Sequence, residues 1–294
     1  MKRNFFTFEQ IGEEYALYAE DIRRGTPTAV FGVSDSLKYL LAGLTPFPVV
    51  YVTTDSASAK KAAENISSLS GKKTATITAK DEVLLYRKAL SKDSLFKRLD
   101  GIHALQNGCE VITAEIDALI QLFPKKLPAI TFKEREEYDF LSLPKTLISM
   151  GYVRSFEVES RGVFAVRGDI LDIYPVNGDA VRIDFFGDTV EKIKPYDIIT
   201  GNRLAGVDEV TVLAATDVLV EESDIPVIRE TLEKEVKKFK TSESYTRARA
   251  IADEILSEEN PDSSFLLPIL KNSTDFFSIL PENAVVVFDE SKTL

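Results

Sequence analysis

The sequence is poor in the residues that usually carry catalysis and metal binding. It contains one cysteine, Cys109, and one histidine, His103, among 294 residues. A single cysteine cannot form an intrachain disulfide, and one Cys with one His cannot supply the four ligands of a structural zinc site. A general base needs a positioned partner, and none is evident for His103, while Cys109 opens an apolar strand. We therefore expect no catalytic residue, no metal and no cofactor.

Long apolar runs and an excess of basic residues are also missing. No apolar run is long enough to cross a bilayer and the N-terminus lacks a signal-peptide core, which predicts a cytoplasmic protein without a membrane partner. Lys and Arg number 36 against 47 Asp and Glu, so the formal net charge is −11. Because neutralising DNA phosphates requires clustered basic residues, a general DNA-binding surface is disfavoured, although a local basic patch stays open.

The N-terminal third alternates between strand and helix patterns. Helical patterns over 4–24, 34–44, 55–71, 81–91, 93–107 and 116–123 are separated by apolar strand candidates at 28–33, 48–53, 74–78 and 109–113. Such alternation predicts an α/β domain with a parallel sheet.

The first predicted strand-to-helix turn has part of a phosphate-binding loop. Gly32 and Lys38 are in register with the pattern G-x-x-x-x-G-K-[ST]. Leu37 replaces the second glycine and restricts the backbone, and Tyr39 lacks the short hydroxyl that would reach Mg²⁺. Asp35 adds a negative charge where phosphates would lie. We predict a degenerate nucleotide site that does not bind ATP, and an ordinary strand–turn–helix explains the same residues.

The C-terminal third contains two charged helices, at 224–240 and 244–259, and the apolar strand 284–288. Asp289 and Glu290 follow that strand as in a Walker B element, but solvated carboxylates at a strand end are the preferred interpretation. A lone strand cannot bury its faces, so we expect it to join the N-terminal sheet. The predicted organisation is a discontinuous domain, residues 1–128 and 216–294, around an inserted α+β domain with an antiparallel sheet at 129–215.

The stretch 151–197 has the alternation and turn signals of an antiparallel meander. Turns are predicted at 160–162, at 175–179 around the hairpin signal Asn177-Gly178, and at 187–188. Val181, Ile183 and Phe185 would form a buried face, and the other face would carry the side chains of Arg167, Arg182, Asp184 and Phe186. This second face is either an ordinary solvated surface or a recognition surface, since arginine beside an exposed aromatic is typical of interface hot spots.

The segments FAVRGDILDIYP and VRIDFFGDTVEKI within this meander resemble the UvrA-binding domain that the excision-repair protein UvrB shares with the transcription-repair coupling factor family (Mfd). The resemblance implies UvrA as a partner. Arg154, Arg167, Arg182 and Asp184 fall on family positions that contact UvrA, and Phe186 shares their predicted face. Ala165 stands where the family has a further arginine, which implies that part of the UvrB-type contact is missing.

Two departures from UvrB decide which relative the chain resembles more. UvrB has an intact phosphate loop, and it has an aromatic-rich β-hairpin that grips DNA where 79–108 here contains only Tyr86 and Phe96. The chain is therefore similar to the N-terminal UvrB-like module of a coupling factor: a non-catalytic piece of a longer ATP-dependent translocase that recruits UvrA and reaches RNA polymerase and DNA through regions absent here. The alternatives are a UvrB-related protein that retains ATP or damaged-DNA binding and, more remotely, an unrelated α/β enzyme, for which no nucleophile–base constellation is visible.

Overall fold

The computed structural model describes residues 11–80, 92–257 and 264–289. It groups the chain into two compact units: among the described residues, unit 1 comprises 11–80, 92–121 and 275–289, and unit 2 comprises 122–257 and 264–274. Unit 1 has a parallel sheet and unit 2 separate, mainly antiparallel sheets. The domain boundaries at 128 and 215 stay predictions. The predicted helix over 81–91 lies outside the described residues.

The elements alternate up to residue 121 and change character after it. The first part contains α1 (Glu13–Arg24), α2 (Asp35–Leu44), β1 (Val49–Thr53), α3 (Ser56–Ser70), β2 (Thr74–Ile77), α4 (Lys92–Gln106), β3 (Val111–Glu115) and α5 (Ile116–Leu119). The second part contains β4 (Leu122–Pro124), β5 (Ala129–Lys133), α6 (Leu143–Ser149), β6 (Val153–Arg154), β7 (Val163–Arg167), β8 (Ile170–Tyr174), β9 (Ala180–Phe186), β10 (Thr189–Tyr196) and β11 (Glu209–Leu213). Last come α7 (Ile225–Val236), α8 (Ser242–Ser257), a 3-10 helix (Ser264–Ile269), β12 (Ser273–Asp275), a second 3-10 helix (Phe277–Ile279) and β13 (Val285–Phe288).

Unit 1 is built on a four-stranded parallel sheet in the order β13-β1-β3-β2. All five residues of β1 are buried, as expected for a central parallel strand covered on both faces. The helix α3 begins at an Asp55 cap whose carboxylate accepts from the Ser58 amide at 2.8 Å, and it ends at Gly71 in the left-handed conformation. Its residues Ala62 and Ile66 pack on this sheet.

The strand predicted at 28–33 is wrong, because the structure has no strand there. The side chains of Val30 and Phe31 are 42% and 83% exposed. Both edges of β1 are already paired, one with β13 and the other with β3, so residues 28–33 cannot pair with β1. A short apolar run does not by itself distinguish a strand from an exposed connection. The degenerate phosphate loop therefore lacks the strand that should precede it.

Unit 2 contains a five-stranded sheet in the order β10-β9-β8-β7-β6, antiparallel except for the β6–β7 pair. One face, the inner face, is buried, with Phe164, Ile173 and Ile183 all at 0% exposure. Phe185 on this face meets Phe132 of β5 edge-on and lies with its ring centroid 4.7 Å from that of Phe140. The inner face of the sheet is thus a hydrophobic core, which leaves the opposite face for function.

The turns that fix the register differ in part from prediction. The β9–β10 turn at Gly187-Asp188 occurs as expected, with Gly187 at φ 60°. The β7–β8 turn, at Gly168-Asp169, is an equally short connection that the turn signals above did not include. The turn predicted at 175–179 is the β8–β9 connection, a five-residue loop and not a two-residue turn at Asn177-Gly178. In that loop the side-chain amide of Asn177 donates a hydrogen bond to the backbone carbonyl of Thr211 at 3.1 Å.

The helical part of unit 2 has its own apolar cluster. Leu232 of α7, Ile255 of α8 and Leu266 of the first 3-10 helix are buried together in it. The charged residues of both helices lie on their outer faces, as the sequence predicted. Among the described residues no helix is both long and apolar enough to cross a membrane.

Candidate functional site

The face of the five-stranded sheet opposite the core, called here the outer face, carries the residues that the resemblance singled out. Directly paired residues share a face, and the ladder aligns Ala165 with Asp172 and Asp172 with Arg182. The next row toward the β7–β8 turn aligns Arg167 with Ile170 and Asp184. Arg167, Arg182 and Asp184 are therefore brought together on one surface, as the alternation predicted.

Arg182 is held by Asp172 on the adjacent strand. Its Nε donates to Asp172 Oδ1 at 2.7 Å and its Nη2 to Oδ2 at 2.8 Å, a two-pronged ion pair. The Asp172 side chain is only 7% exposed, whereas that of Arg182 is 46% exposed. This hydrogen bonding raises the pKa of Arg182. Asp172 thus holds the Arg182 guanidinium from one side, while the Arg182 side chain stays partly exposed to a partner.

Asp184 pairs with a lysine and not with the arginine two residues before it. Its carboxylate forms an ion pair with Lys194 of β10. The reason is the register, which sets Arg182 against Asp172 on one side and Lys194 on the other. Asp184 therefore contributes to a chain of alternating charges across three strands.

The remaining predicted residues lie at the margins of this face. Phe186 at the end of β9 is 76% exposed. Arg167 is exposed and its Nη2 donates to the backbone carbonyl of Phe156. Arg154 is exposed on the short edge strand β6, where the register pairs it with Phe164, an inner-face residue. Arg154 is therefore off the rows that contain the other two arginines.

The sequence analysis did not identify two residues of the outer face, Asp172 and Tyr196. Asp172 anchors Arg182. Tyr196 lies nearby, and burial raises the pKa of its phenol. A signal for Asp172 existed: a two-residue turn at Gly168-Asp169 sets Arg167 opposite Ile170 and hence Ala165 opposite Asp172. Recognising that turn from the sequence would have identified the anchor.

Lys38, in the segment predicted as a degenerate phosphate loop, forms an ion pair within unit 1. Lys38 Nζ lies 2.9 Å from Asp289 Oδ2, with side chains 20% and 16% exposed, and 5.3 Å from the ring centroid of Tyr39. The interpretation of Asp289 as a solvated carboxylate is therefore wrong, because the strand β13 ends next to Lys38. Gly32 has a left-handed backbone at φ 71°.

The isolated His103 and Cys109 have ordinary structural surroundings. Burial lowers the pKa of His103, whose ring lies against the Asn107 amide, and raises the pKa of the Cys109 thiol, which points at the Lys73 carbonyl. Among residues 11–80, 92–257 and 264–289, no cluster of three or more His, Cys, Asp or Glu is arranged to hold a metal ion.

Comparison with known proteins gives a family match for the segment that contains this face. Residues 130–217 match the family described as UvrB interaction domain. The match begins in β5 and ends after β11, so it includes the whole five-stranded sheet and both strands that accompany it.

Curated relatives come from two groups of protein. A transcription-repair-coupling factor of Myxococcus xanthus is 28% identical over 235 residues, which is 73% of this chain and 19% of the relative. A UvrABC system protein B of Agathobacter rectalis is 32% identical over 131 residues, 42% of this chain and 20% of the relative. A transcription-repair-coupling factor of Staphylococcus aureus is 32% identical over 103 residues, 35% of this chain and 9% of the relative.

The chain thus spans a fifth or less of the length of these relatives. The resemblance stated from the meander is confirmed: residues 130–217 match the UvrB interaction domain, and the chain is similar to transcription-repair coupling factors and to UvrB, as an N-terminal UvrB-like module of a coupling factor would be.

Proposed function

We propose that this chain is a docking module of a transcription-repair coupling factor and that it recruits UvrA in nucleotide excision repair. The similarity to the Myxococcus coupling factor runs over 73% of the chain, whereas the similarity to the Agathobacter UvrB relative runs over 42%. This difference favours the coupling factor over UvrB. RNA polymerase and DNA are assigned to regions of the longer protein outside this chain.

The single observation that carries the proposal is the half-exposed, pre-oriented side chain of Arg182. Its two hydrogen bonds to Asp172 fix its orientation before any partner arrives, so less side-chain entropy is lost on binding. An arginine on the same sheet face as an exposed aromatic ring, here Phe186, has the composition of an interface hot spot.

The partner surface that fits this face is acidic with an apolar recess. Arg182 and Arg167 would form charge-assisted hydrogen bonds with carboxylates of UvrA, and Phe186 would be buried against apolar groups. Arg154 would contact UvrA from the edge strand β6, outside the main rows. Ala165, which is 2% exposed, adds no charge, so we expect lower affinity than for a UvrB-type face.

The module is proposed to act without nucleotide chemistry. A phosphate would have to compete with the Asp289 carboxylate for Lys38, and residues 28–33 do not form the strand from which a phosphate loop projects. Both observations count against the alternative, a UvrB-related protein that retains ATP or damaged-DNA binding.

A pull-down with purified UvrA tests the proposal. The variants are Arg154→Ala, Arg167→Ala and Arg182→Ala, with Arg229→Ala on the exposed side of α7 as the matched control. Truncating one partner of a desolvated ion pair costs about 2–5 kcal/mol, and a rim arginine costs far less. We expect Arg182→Ala to lose UvrA. Because this variant also leaves the nearly buried Asp172 carboxylate without its partner, its melting temperature should fall, and circular dichroism at the assay temperature checks that it is folded. Wild-type retention by all three folded variants would show that the docking face is elsewhere.

A further inference from the structure

The most exposed phenylalanine described in unit 2 is not among the predicted site residues. Phe156 is 92% exposed and belongs to the connection between β6 and β7. An isolated exposed apolar residue needs no explanation. Phe156 differs because its backbone is fixed next to the outer face.

The backbone on either side of the Phe156 ring is held by the sheet. The preceding amide, of Ser155, donates to the Phe164 carbonyl at 2.9 Å and so extends the β6–β7 pairing by one residue. The Phe156 carbonyl accepts from Arg167 Nη2. Two contacts to residues of β7 therefore fix the backbone that carries a highly exposed ring.

These contacts bring Phe156 to the corner of the sheet that also carries Phe186. Arg167, Ile170 and Asp184 form one row across β7, β8 and β9, and Phe186 lies two residues beyond Asp184 on the same face. With strands about 4.8 Å apart, this row is roughly 10 Å wide. Phe156 thus lies on the β7 side of this row and Phe186 near its β9 side, a spacing that one protein partner can cover.

Arg167 is suited to present this ring to an acidic partner. In the part of the chain that the structure describes, its hydrogen-bond partner is a neutral carbonyl, so its positive charge is not compensated by that contact. A partner that buried the ring would also bring its own groups close to this guanidinium. A partner with a carboxylate beside an apolar pocket would bury the Phe156 ring and pair with the Arg167 guanidinium.

We propose that Phe156 is a second aromatic anchor of the UvrA-docking face and that Arg167 is the positioning residue that presents it. This inference rests on the proposed function and adds a contact outside the family positions. The partner chemistry is a pocket that takes a phenyl ring, bordered by a carboxylate for Arg167. Phe156 and Phe186 then bound the charged row between them.

The test is a titration of the full chain with purified UvrA by biolayer interferometry. Phe156→Ala should weaken binding by about tenfold or more, the effect of losing a buried aromatic anchor. Phe156→Tyr keeps the ring and should bind within about threefold of wild type. The matched control is Ile199→Ala, at a residue that is 91% exposed at the far end of the strands and should bind as wild type.

A double-mutant comparison tests the positioning role. If Arg167 acts by presenting Phe156, then Arg167→Ala weakens UvrA binding strongly in wild type and much less in the Phe156→Ala background. Equal losses in both backgrounds would overturn the positioning role. Wild-type binding by Phe156→Ala, with binding lost in Arg182→Ala, would overturn the anchor and leave the proposed function intact. Wild-type binding by both would contradict both.

Discussion

At the scale of single residues, one nearly buried carboxylate, that of Asp172, holds the main arginine of the outer face, Arg182. Asp172 is nearly inaccessible to a partner, yet it determines how Arg182 presents its guanidinium. The polar positions of β9 could be predicted from sequence, since Val181, Ile183 and Phe185 alternate with them. The anchor was missed because its identity depends on which residue of β8 lies opposite, and this follows only once the turn at Gly168-Asp169 is recognised.

The first prediction concerns this anchor. Asp172→Asn keeps the side-chain size but removes the charge that holds Arg182, so UvrA binding should weaken by about tenfold and stability should fall by about 1 kcal/mol. Asp253→Asn is the control, because Asp253 pairs with Arg249 on an exposed helix face. Calorimetric titration and thermal melting measure the two effects. Equal affinity for Asp172→Asn and wild type would refute the role of Asp172.

The second prediction concerns Tyr152, whose buried hydroxyl donates to the Leu213 carbonyl at 2.8 Å. Burial raises its pKa in the folded protein. Its stabilising contribution is therefore complete below the unfolded pKa of about 10 and is lost as pH rises through the folded pKa. Tyr152→Phe should cost about 1 kcal/mol at pH 7 and lose less stability between pH 9 and 11 than wild type. Identical alkaline profiles from urea denaturation would count against this account.

At the scale of elements, hydrophobic alternation predicted β7 and β9 well and failed for residues 28–33. The pattern in β9 is decisive because Val181, Ile183 and Phe185 face a core that fixes the register. Residues 28–33 are equally apolar but have no neighbouring strand in the described sheet, and only the three-dimensional arrangement shows that. The turn at Gly168-Asp169 was not predicted, although the same Gly-Asp pair marked the predicted turn at Gly187-Asp188.

The third prediction concerns the loop at the start of α2. The isolated chain should neither bind nor hydrolyse Mg-ATP, because Leu37 and Tyr39 replace required residues and the Asp289 carboxylate already contacts Lys38. Isothermal titration calorimetry with Mg-ATP is the measurement, and Lys38→Ala is the matched variant. Saturable binding at micromolar concentrations that Lys38→Ala abolishes would contradict the prediction.

At the scale of the whole chain, the alternation of strand and helix patterns predicted the α/β class, and the resemblance predicted the relatives. The strand at 284–288 was expected to join the N-terminal sheet, and β13 does pair with β1 of unit 1. The helices α7 and α8 instead have a core of their own within unit 2. Amphipathic periodicity shows that a helix has an apolar face but not which element covers it, so the grouping of these two helices could not be read from sequence.

The fourth prediction concerns DNA. With a formal net charge of −11, the chain should bind duplex or damaged DNA only weakly and without sequence preference at physiological salt. Fluorescence anisotropy over a range of salt concentrations measures this. A submicromolar complex at physiological salt would be inconsistent with a pure docking module and would favour the UvrB-like alternative.

The most direct test of the central claim is the dissociation constant for UvrA of wild type and of the double variant Arg182→Ala/Phe186→Ala. Phe186 is exposed, but removing Arg182 leaves the Asp172 carboxylate without its partner, so the double variant should melt below wild type, and circular dichroism at the assay temperature checks that it is folded. If UvrA docks on this face, its dissociation constant should rise by about 30-fold or more, corresponding to at least 2 kcal/mol. An unchanged dissociation constant, equal to that of the control Arg229→Ala, would contradict the assignment of this face as the UvrA-docking surface.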